Sequence, residues 1–208
     1  MILSTEEAAS ELLSLYLSSD NVSNCTLSTE DGTVLYAVYT EHTPKTVTQV
    51  RNEHGEVIAS MEWRKTLSDR VTVGANKPVA LSDWMKKSVI PFLSDISFVD
   101  DSQRSYKWKG YAVGQSLELH ASDTKKPIAF FHKRRRVPNT EPPAWTEPKL
   151  IMDSRAKQIQ DTVVISFLFL EKNRRIFERT SQNAADVRTL PLNVAGTGYR
   201  AHDGGIGV

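Results

Sequence analysis

A run of four consecutive cations is the strongest chemical signal in this sequence. It follows His132 and consists of Lys133, Arg134, Arg135 and Arg136. Arginine can hold two phosphate oxygens through parallel hydrogen bonds, and lysine adds a point charge. The run therefore predicts a weak site for phosphate, carried by a lipid headgroup or by nucleic acid. A solvated strand end explains the same residues without any ligand, and a short nuclear-import signal is a further alternative.

A second candidate interleaves aromatic and cationic side chains. Tyr106 and Trp108 alternate with Lys107 and Lys109, and such a pattern can stack bases while the lysines meet phosphates. The same alternation is typical of a half-buried strand that turns its aromatic residues inward and its lysines outward. We favour the strand, so nucleic acid is not the expected partner, and we keep Lys107 and Lys109 as weak ligand contacts.

The sequence holds no recognisable catalytic or metal-binding set. The five histidines are scattered and lack the ligand spacing that zinc requires; they are His42, His54, His120, His132 and His202. The single cysteine, Cys25, has no nearby base in the sequence to activate it. We therefore predict no catalytic residue, no metal and no cofactor. An enzyme assembled from distant residues, including His120 or His132, is the alternative.

Composition limits the class of partner. The chain has 208 residues, of which 39% are hydrophobic, and a formal net charge of +1. Because the net charge is so small, no overall electrostatic field attracts the protein to nucleic acid or to a membrane. One cysteine allows no intrachain disulfide, which suits a reducing compartment. The first residues lack the basic start of a secretory signal. We expect a cytoplasmic protein without a transmembrane segment, and the nucleus or a membrane surface are the alternative locations.

Most of the chain is predicted to form short antiparallel strands. Between residues 25 and 133, apolar and polar residues alternate in successive runs, which is the period of half-buried strands. The clearest run is Val57, Ala59, Met61 and Trp63 on one face. Gly32 and Gly55 fall between runs, where tight hairpins need a positive φ.

One apolar segment near the C-terminus is predicted to be a buried helix. Residues 161–170 are nearly all apolar, and helix-forming residues flank them from about 154 to 179. The apolar run is about half the length that crosses a bilayer. A helix that is apolar all round and too short to span a membrane is surrounded by protein.

The expected domain boundaries follow from these elements. Residues 1–12 form a separate N-terminal segment with the capping pattern of a short helix, although residues 13–17 also alternate like a first strand. Residues 13–180 form a single domain around the helix. Residues 181–208 lose all pattern and contain several glycines, so we expect a flexible tail.

The order of these segments resembles a fungal domain family of uncharacterised function. The resemblance rests on a strand before and after Gly32, a second strand ending at Trp63, the Tyr106 to Lys109 strand, later strands near Leu117 and Ile128, and the closing apolar helix. The layout is also similar to the tubby-like superfamily, which includes tubby C-terminal domains, LURP-one-related proteins and phospholipid scramblases. This resemblance implies an antiparallel closed β-barrel or sandwich of about a dozen short strands around one apolar C-terminal helix.

The resemblance also implies a kind of function. Tubby domains are implied to bind phosphoinositide headgroups through basic side chains, although no such residue aligns one by one with this chain. Since a fold by itself says little about function, we carry forward an expectation of a non-enzymatic binding or scaffold domain. Its partner would be a phosphoinositide-containing membrane surface or another protein, with nucleic-acid binding as the alternative.

Overall fold

A computed structural model describes residues 12–88, 95–112 and 114–189, with side chains described as far as residue 182. It contains thirteen strands and three helices in this part of the chain. The strands of the first half are β1 (Leu13–Leu17), β2 (Cys25–Ser28), β3 (Val34–Glu41), β4 (Thr46–Asn52), β5 (Val57–Trp63), β6 (Arg70–Val73) and β7 (Val79–Ala80). A single helical turn, α1 (Leu81–Trp84), follows. The remaining elements are β8 (Lys86–Lys87), β9 (Ile96–Val99), β10 (Ser105–Lys109), β11 (Glu118–Ala121), β12 (Ala129–His132), β13 (Lys149–Met152), α2 (Ser154–Lys157) and α3 (Gln160–Thr189).

All thirteen strands belong to one antiparallel sheet. Its order is β7-β6-β5-β4-β3-β2-β1-β13-β12-β11-β10-β9-β8, so hairpins run outward in both directions from the central pair of β1 and β13. The predicted alternation is confirmed on β10, where Tyr106 and Trp108 are buried and Lys107 and Lys109 are exposed. Residues 13–17 form a strand, and the proposed helix in residues 1–12 falls almost wholly outside the described residues.

The sheet does not close into the expected barrel among the described residues. No ladder joins β7 to β8 among the described residues, and the sheet ends at these two strands. Every neighbouring pair is antiparallel, so in an odd-numbered series the first and last strands run in the same direction. The short α1 turn carries the chain from one sheet edge to the other without a hairpin, which leaves a gap between the edges.

The apolar segment does form the core of the molecule. Residues 163–170 of α3 are all at most 3% exposed. Ring contacts reach α3 from both halves of the sheet: Trp63 and Trp84 pack edge-on against Phe169, and Phe131 packs against Phe167. The sheet therefore curls around the helix, which confirms that protein surrounds this apolar segment.

The boundaries of this helix differ from the prediction. The segment from 154 to 179 is not one helix, because a two-residue turn at Gln158 and Ile159 separates α2 from α3. Asp153 caps α2 by accepting from the N–H groups of Arg155 and Ala156, both at 2.9 Å. Of the expected flexible tail, residues 181–189 belong to α3, and residues 190–208 lie outside the described residues.

Candidate functional site

The candidate site lies where α3 leaves the sheet. Residues 163–170 of α3 are buried and, apart from Ser166, apolar, and from Glu171 onward the helix becomes polar. A cleft of about 280 Å³ opens there between α3, the end of β12 and the segment after β1. We name it the exit cleft. Its lining residues are Asp20, Lys133, Arg134, Glu171, Arg174, Arg175, Glu178, Arg179 and Gln182.

A buried carboxylate organises one wall of the exit cleft. Glu171 and Arg174 are only 0% and 2% exposed. Arg174 donates to both oxygens of Glu171, from Nε at 2.7 Å and from Nη2 at 2.6 Å. Arg175 donates to the same carboxylate at 2.8 Å and to the Asp20 carboxylate at 2.8 Å. These charge-assisted bonds fix both guanidinium groups and attach α3 to the segment after β1.

The predicted cationic run lies on one strand of a two-stranded ribbon. The register of β12 and β13 continues outward to a bridge between Arg136 and Trp145. Since side chains alternate along a strand, Lys133 follows the core-facing residues of β12 and points towards α3. Arg134 alternates onto the Trp145 side of the ribbon, with its guanidinium carbon 5.1 Å from the centre of the Trp145 ring, and it lines the edge of the exit cleft. The ribbon therefore divides the run between two faces.

Lys133 connects the ribbon to the helix. Its Nζ lies 3.8 Å from Oε1 of Glu178. The same oxygen accepts the Gly114 N–H at 3.1 Å and is also paired with Arg174. Burial, reinforced by the Arg174 charge, lowers the pKa of Lys133 below its ordinary value. A bound anion would act in the opposite direction, because negative charge stabilises the ammonium form.

Positive charge exceeds negative charge in the exit cleft. Five cationic and three carboxylate side chains line it, which gives a net charge of +2. The carboxylates are all engaged by Lys133, Arg174 or Arg175. Within the described part of the chain, no carboxylate lies within 4 Å of Arg134 or Arg179, and both side chains are exposed. The cleft thus combines fixed arginines with two cations that can meet an incoming anion.

The other predicted contacts lie elsewhere. Arg135 and Arg136 are exposed further out on the ribbon, where the Arg135 N–H donates to Thr146 at 2.9 Å. Lys107 and Lys109 project from the outer face of β10, and Lys107 pairs with Asp95 at 3.6 Å. Of the six candidates, the structure brings only Lys133 and Arg134 together in the exit cleft.

A second cavity of about 320 Å³ adjoins the exit cleft and shares Asp20, Arg175 and Arg179 with it. Lys172 lines this cavity, and its Nζ donates to Thr48 at 3.0 Å and lies 3.8 Å from the centre of the Trp63 ring. Burial lowers the pKa of Lys172 to about 8. The ring face opposes part of this effect, because its electrons attract a cation.

The residues considered for catalysis do not converge. His120 lies 3.4 Å from Glu118 through Nε2, and its buried Nδ1 has no hydrogen-bond partner in the described residues. His132 packs its ring against Phe130 at 5.2 Å. Burial raises the pKa of Cys25 to about 12, which keeps the thiol protonated. Across residues 12–88, 95–112 and 114–189, no group of three potential metal ligands occurs.

Sequence reasoning missed most of the exit cleft. Glu171 and Arg175 have the i,i+4 spacing of a helical ion pair, but Arg174, Glu178 and Arg179 were not singled out. The signal that could have found them is the abrupt change from an apolar helix to four cations within eight residues. A buried helix becomes polar where it reaches solvent, so these cations had to lie at the rim of the sheet.

A family model matches residues 20–176, which is three-quarters of the chain. Its description is a family of unknown function, DUF6593. The chain belongs to this family. The matched region contains the strands from β2 to β13, the basic run and α3 as far as Ile176, but not Glu178 or Arg179. No curated protein and no solved structure matches the chain.

The family assignment carries no activity, substrate or partner. The resemblance to tubby-like domains and the fungal origin stay predictions. None of the helices in the described residues is both long and apolar enough to cross a membrane.

Proposed function

We propose that this DUF6593 domain is a non-enzymatic binding domain that recognises a phosphate-bearing headgroup in the exit cleft. The net charge of +2 in a cleft whose carboxylates are already engaged is the observation that carries the proposal. Arginine guanidinium groups bind phosphate through pairs of parallel hydrogen bonds. Arg134 and Arg179 supply the adaptable contacts, and Lys133 adds a third cation from the ribbon.

The buried Glu171 network supports this assignment. It fixes Arg174 and Arg175 in the α3 wall of the cleft, beside the contact residues Arg134 and Arg179, and a wall that is already ordered loses less conformational entropy on binding. A charge run on a mobile surface loop would lack this property. The exit cleft therefore differs from an ordinary solvated cluster of cations.

Large apolar side chains at the same end of the molecule support a headgroup on a membrane rather than a free phosphate. Ile176 and Phe177 on α3 are 50% and 55% exposed, and Trp145 on the ribbon is 52% exposed. Aromatic and aliphatic side chains beside cations are typical of peripheral proteins that insert shallowly into the lipid interface. The domain would then act as a peripheral adaptor at the cytoplasmic face of a membrane.

Vesicle co-sedimentation tests the proposal with matched charge reversals. The site variant is Arg134→Glu with Arg179→Glu, and the control is Lys107→Glu with Lys109→Glu. Both pairs are exposed and both change the net charge by the same amount. Each cation near an anionic surface contributes about 1 kcal/mol, so loss of two should weaken binding about 30-fold or more. The control should bind like the wild type.

Three further arms separate the sources of phosphate. Vesicles of phosphatidylcholine with 5% phosphatidylinositol 4,5-bisphosphate are compared with phosphatidylcholine alone, with soluble inositol 1,4,5-trisphosphate and with a 20-nucleotide single-stranded DNA. Binding to the lipid that exceeds binding to the soluble headgroup supports membrane recognition. Equal binding would assign a soluble phosphate ligand, and preference for DNA would assign nucleic acid. Equal loss in both charge-reversal variants would remove the exit cleft as the site.

A further inference from the structure

The gap between the two sheet edges holds a cavity of about 700 Å³. It lies at the opposite end of α3 from the exit cleft, with Thr162 at its floor. We name it the edge gap. Val79 of β7 lines one side and Val99 of β9 lines the other, with Trp84 of α1 between them. The backbone groups that these two edges turn towards the gap decide what can bind there.

The β9 edge presents both backbone groups of Val99. The backbone N–H of Asp100 donates to the carbonyl of Arg104, so Asp100 pairs with β10. Since backbone groups alternate in direction along a strand, the N–H and C=O of the preceding residue, Val99, point away from β10. On the other side, the register of β8 would place Trp84 opposite Val99, but Trp84 belongs to α1. No backbone group of the described residues pairs with Val99 there.

The β7 edge presents a complementary pair of groups. Leu81 donates to the carbonyl of Asp69, which makes Ala80 a residue whose N–H points away from β6. The carbonyl of Pro78 has the same orientation. No backbone partner of either group occurs in the described part of the chain. A carbonyl and an N–H on either side of Val79 form the pattern with which a strand receives a parallel neighbour.

We propose that the edge gap receives an extended peptide from a partner protein, inserted as a strand parallel to β7 and antiparallel to β9. β7 and β9 run in opposite directions, so one inserted strand must be parallel to one and antiparallel to the other. The available groups fit this arrangement on both sides. The peptide residue opposite Val79 would donate its N–H to the Pro78 carbonyl and accept from the Ala80 N–H. The next peptide residue would exchange two backbone hydrogen bonds with Val99.

The residues that line the edge gap favour a peptide with apolar side chains. Val73, Val79 and Val99 provide apolar surface. Lys77 and Asp101 add one charge of each sign at the rim. β-branched or other apolar residues at the centre of the peptide fit this lining better than charged ones. Strand addition at an exposed edge is a common mode of peptide recognition, in which the main chain gives affinity and side-chain pockets give specificity.

A peptide array tests the proposal. Fluorescein-labelled hexapeptides, with their four central positions drawn from valine, isoleucine, threonine, leucine and phenylalanine, are screened by fluorescence polarisation. Each binding peptide is then made with alternate backbone nitrogens methylated, which removes donors but keeps the side chains. We expect binding by a subset of the array and at least a tenfold loss on methylation. An array without binders, or binders that tolerate methylation on both alternate sets, would overturn the proposal.

Variants of the protein locate the binding. Ala80→Pro removes the Ala80 N–H, and the Ala80 φ of −65° already suits proline, so the variant should fold normally. It should bind at least tenfold more weakly. Val99→Glu places a charge in the edge gap and should also weaken binding, whereas Val34→Glu is its control because Val34 and Val99 are 45% and 50% exposed. Wild-type affinity in Ala80→Pro, or equal losses in both glutamate variants, would contradict insertion at this edge.

Discussion

Replacing Glu171 by glutamine removes the negative charge that holds Arg174 and Arg175 in the exit cleft. Glu171 is fully buried, Arg174 is 2% exposed, and two bonds of 2.6 and 2.7 Å join them. Glutamine has nearly the same shape, so the packing of the side chain is kept. The variant therefore reports the charge rather than a cavity.

The expected loss follows from the burial of the pair. Two unit charges about 4 Å apart attract by about 4 kcal/mol at an effective dielectric constant of 20. Breaking a buried ion pair from one side costs about 3–5 kcal/mol, because the remaining charge stays buried. Arg174 keeps Glu178 and Arg175 keeps Asp20, so we expect the lower part of this range, about 3 kcal/mol.

Urea unfolding monitored by tryptophan fluorescence measures this loss. Glu171→Gln, Arg174→Met and the double variant form a cycle, and we expect a coupling energy of about 2 kcal/mol. The surface pair Lys45–Glu62, with side chains 65% and 30% exposed, gives the control Glu62→Gln, which should lose much less stability because solvent screens the pair. Losses below 1 kcal/mol in both single variants, or additive losses in the double variant, would refute the buried network.

Three other predictions test separate parts of the structure. Ser166→Ala removes the hydroxyl oxygen that accepts the buried indole N–H of Trp108 at 3.0 Å. It should reduce the free energy of unfolding, measured in urea, by about 1–3 kcal/mol. Lys172→Met should be more stable than the wild type at pH 7, by about 1–2 kcal/mol. Its advantage should be full below pH 8 and should shrink as pH rises from 8 towards 10.5, because the folded protein then releases the proton that burial makes unfavourable. Gly110→Ala should lose at least about 2 kcal/mol by thermal unfolding, since the residue has φ +77° and an added Cβ would lie 1.9 Å from the Ser116 carbonyl oxygen.

Features that depend on local pattern could be predicted from the sequence. Alternation placed Tyr106 and Trp108 inside the sheet, and both are at most 1% exposed. The length of the apolar run identified a protein-surrounded helix, because it is too short for a bilayer. Both inferences rest on periodicity and length, which a single sequence contains.

The gap between β7 and β8 could not be predicted, because it depends on the number of strands and on the α1 turn. Strand counts from turn signals are uncertain by one or two, and a change of one reverses the relative direction of the edge strands. The helix break at Gln158 and Ile159 lacks the glycine or proline that usually marks one. Local i→i+3 bonds, from Gln158 to Arg155 and from Ile159 to Ala156, make this turn.

The exit cleft was only half predictable. Lys133 and Arg134 are conspicuous as a charge run, but their partners on α3 lie about 40 residues further along the chain. The division of the run between two faces follows from the ribbon register that ends at Arg136 and Trp145. Pro138, Pro142 and Pro143 lie between these residues and are typical of a loop, which has no defined faces.

Hydrogen–deuterium exchange of the full chain, with and without soluble inositol 1,4,5-trisphosphate, tests the phosphate site most directly. We expect added protection in the peptides that contain Lys133 with Arg134 and in those from Glu171 to Arg179. Peptides that contain Lys107 or Val99 should stay unchanged. Protection at β10 or the edge gap without protection at the exit cleft, or no change at millimolar ligand, would contradict the assignment of the exit cleft as the phosphate site.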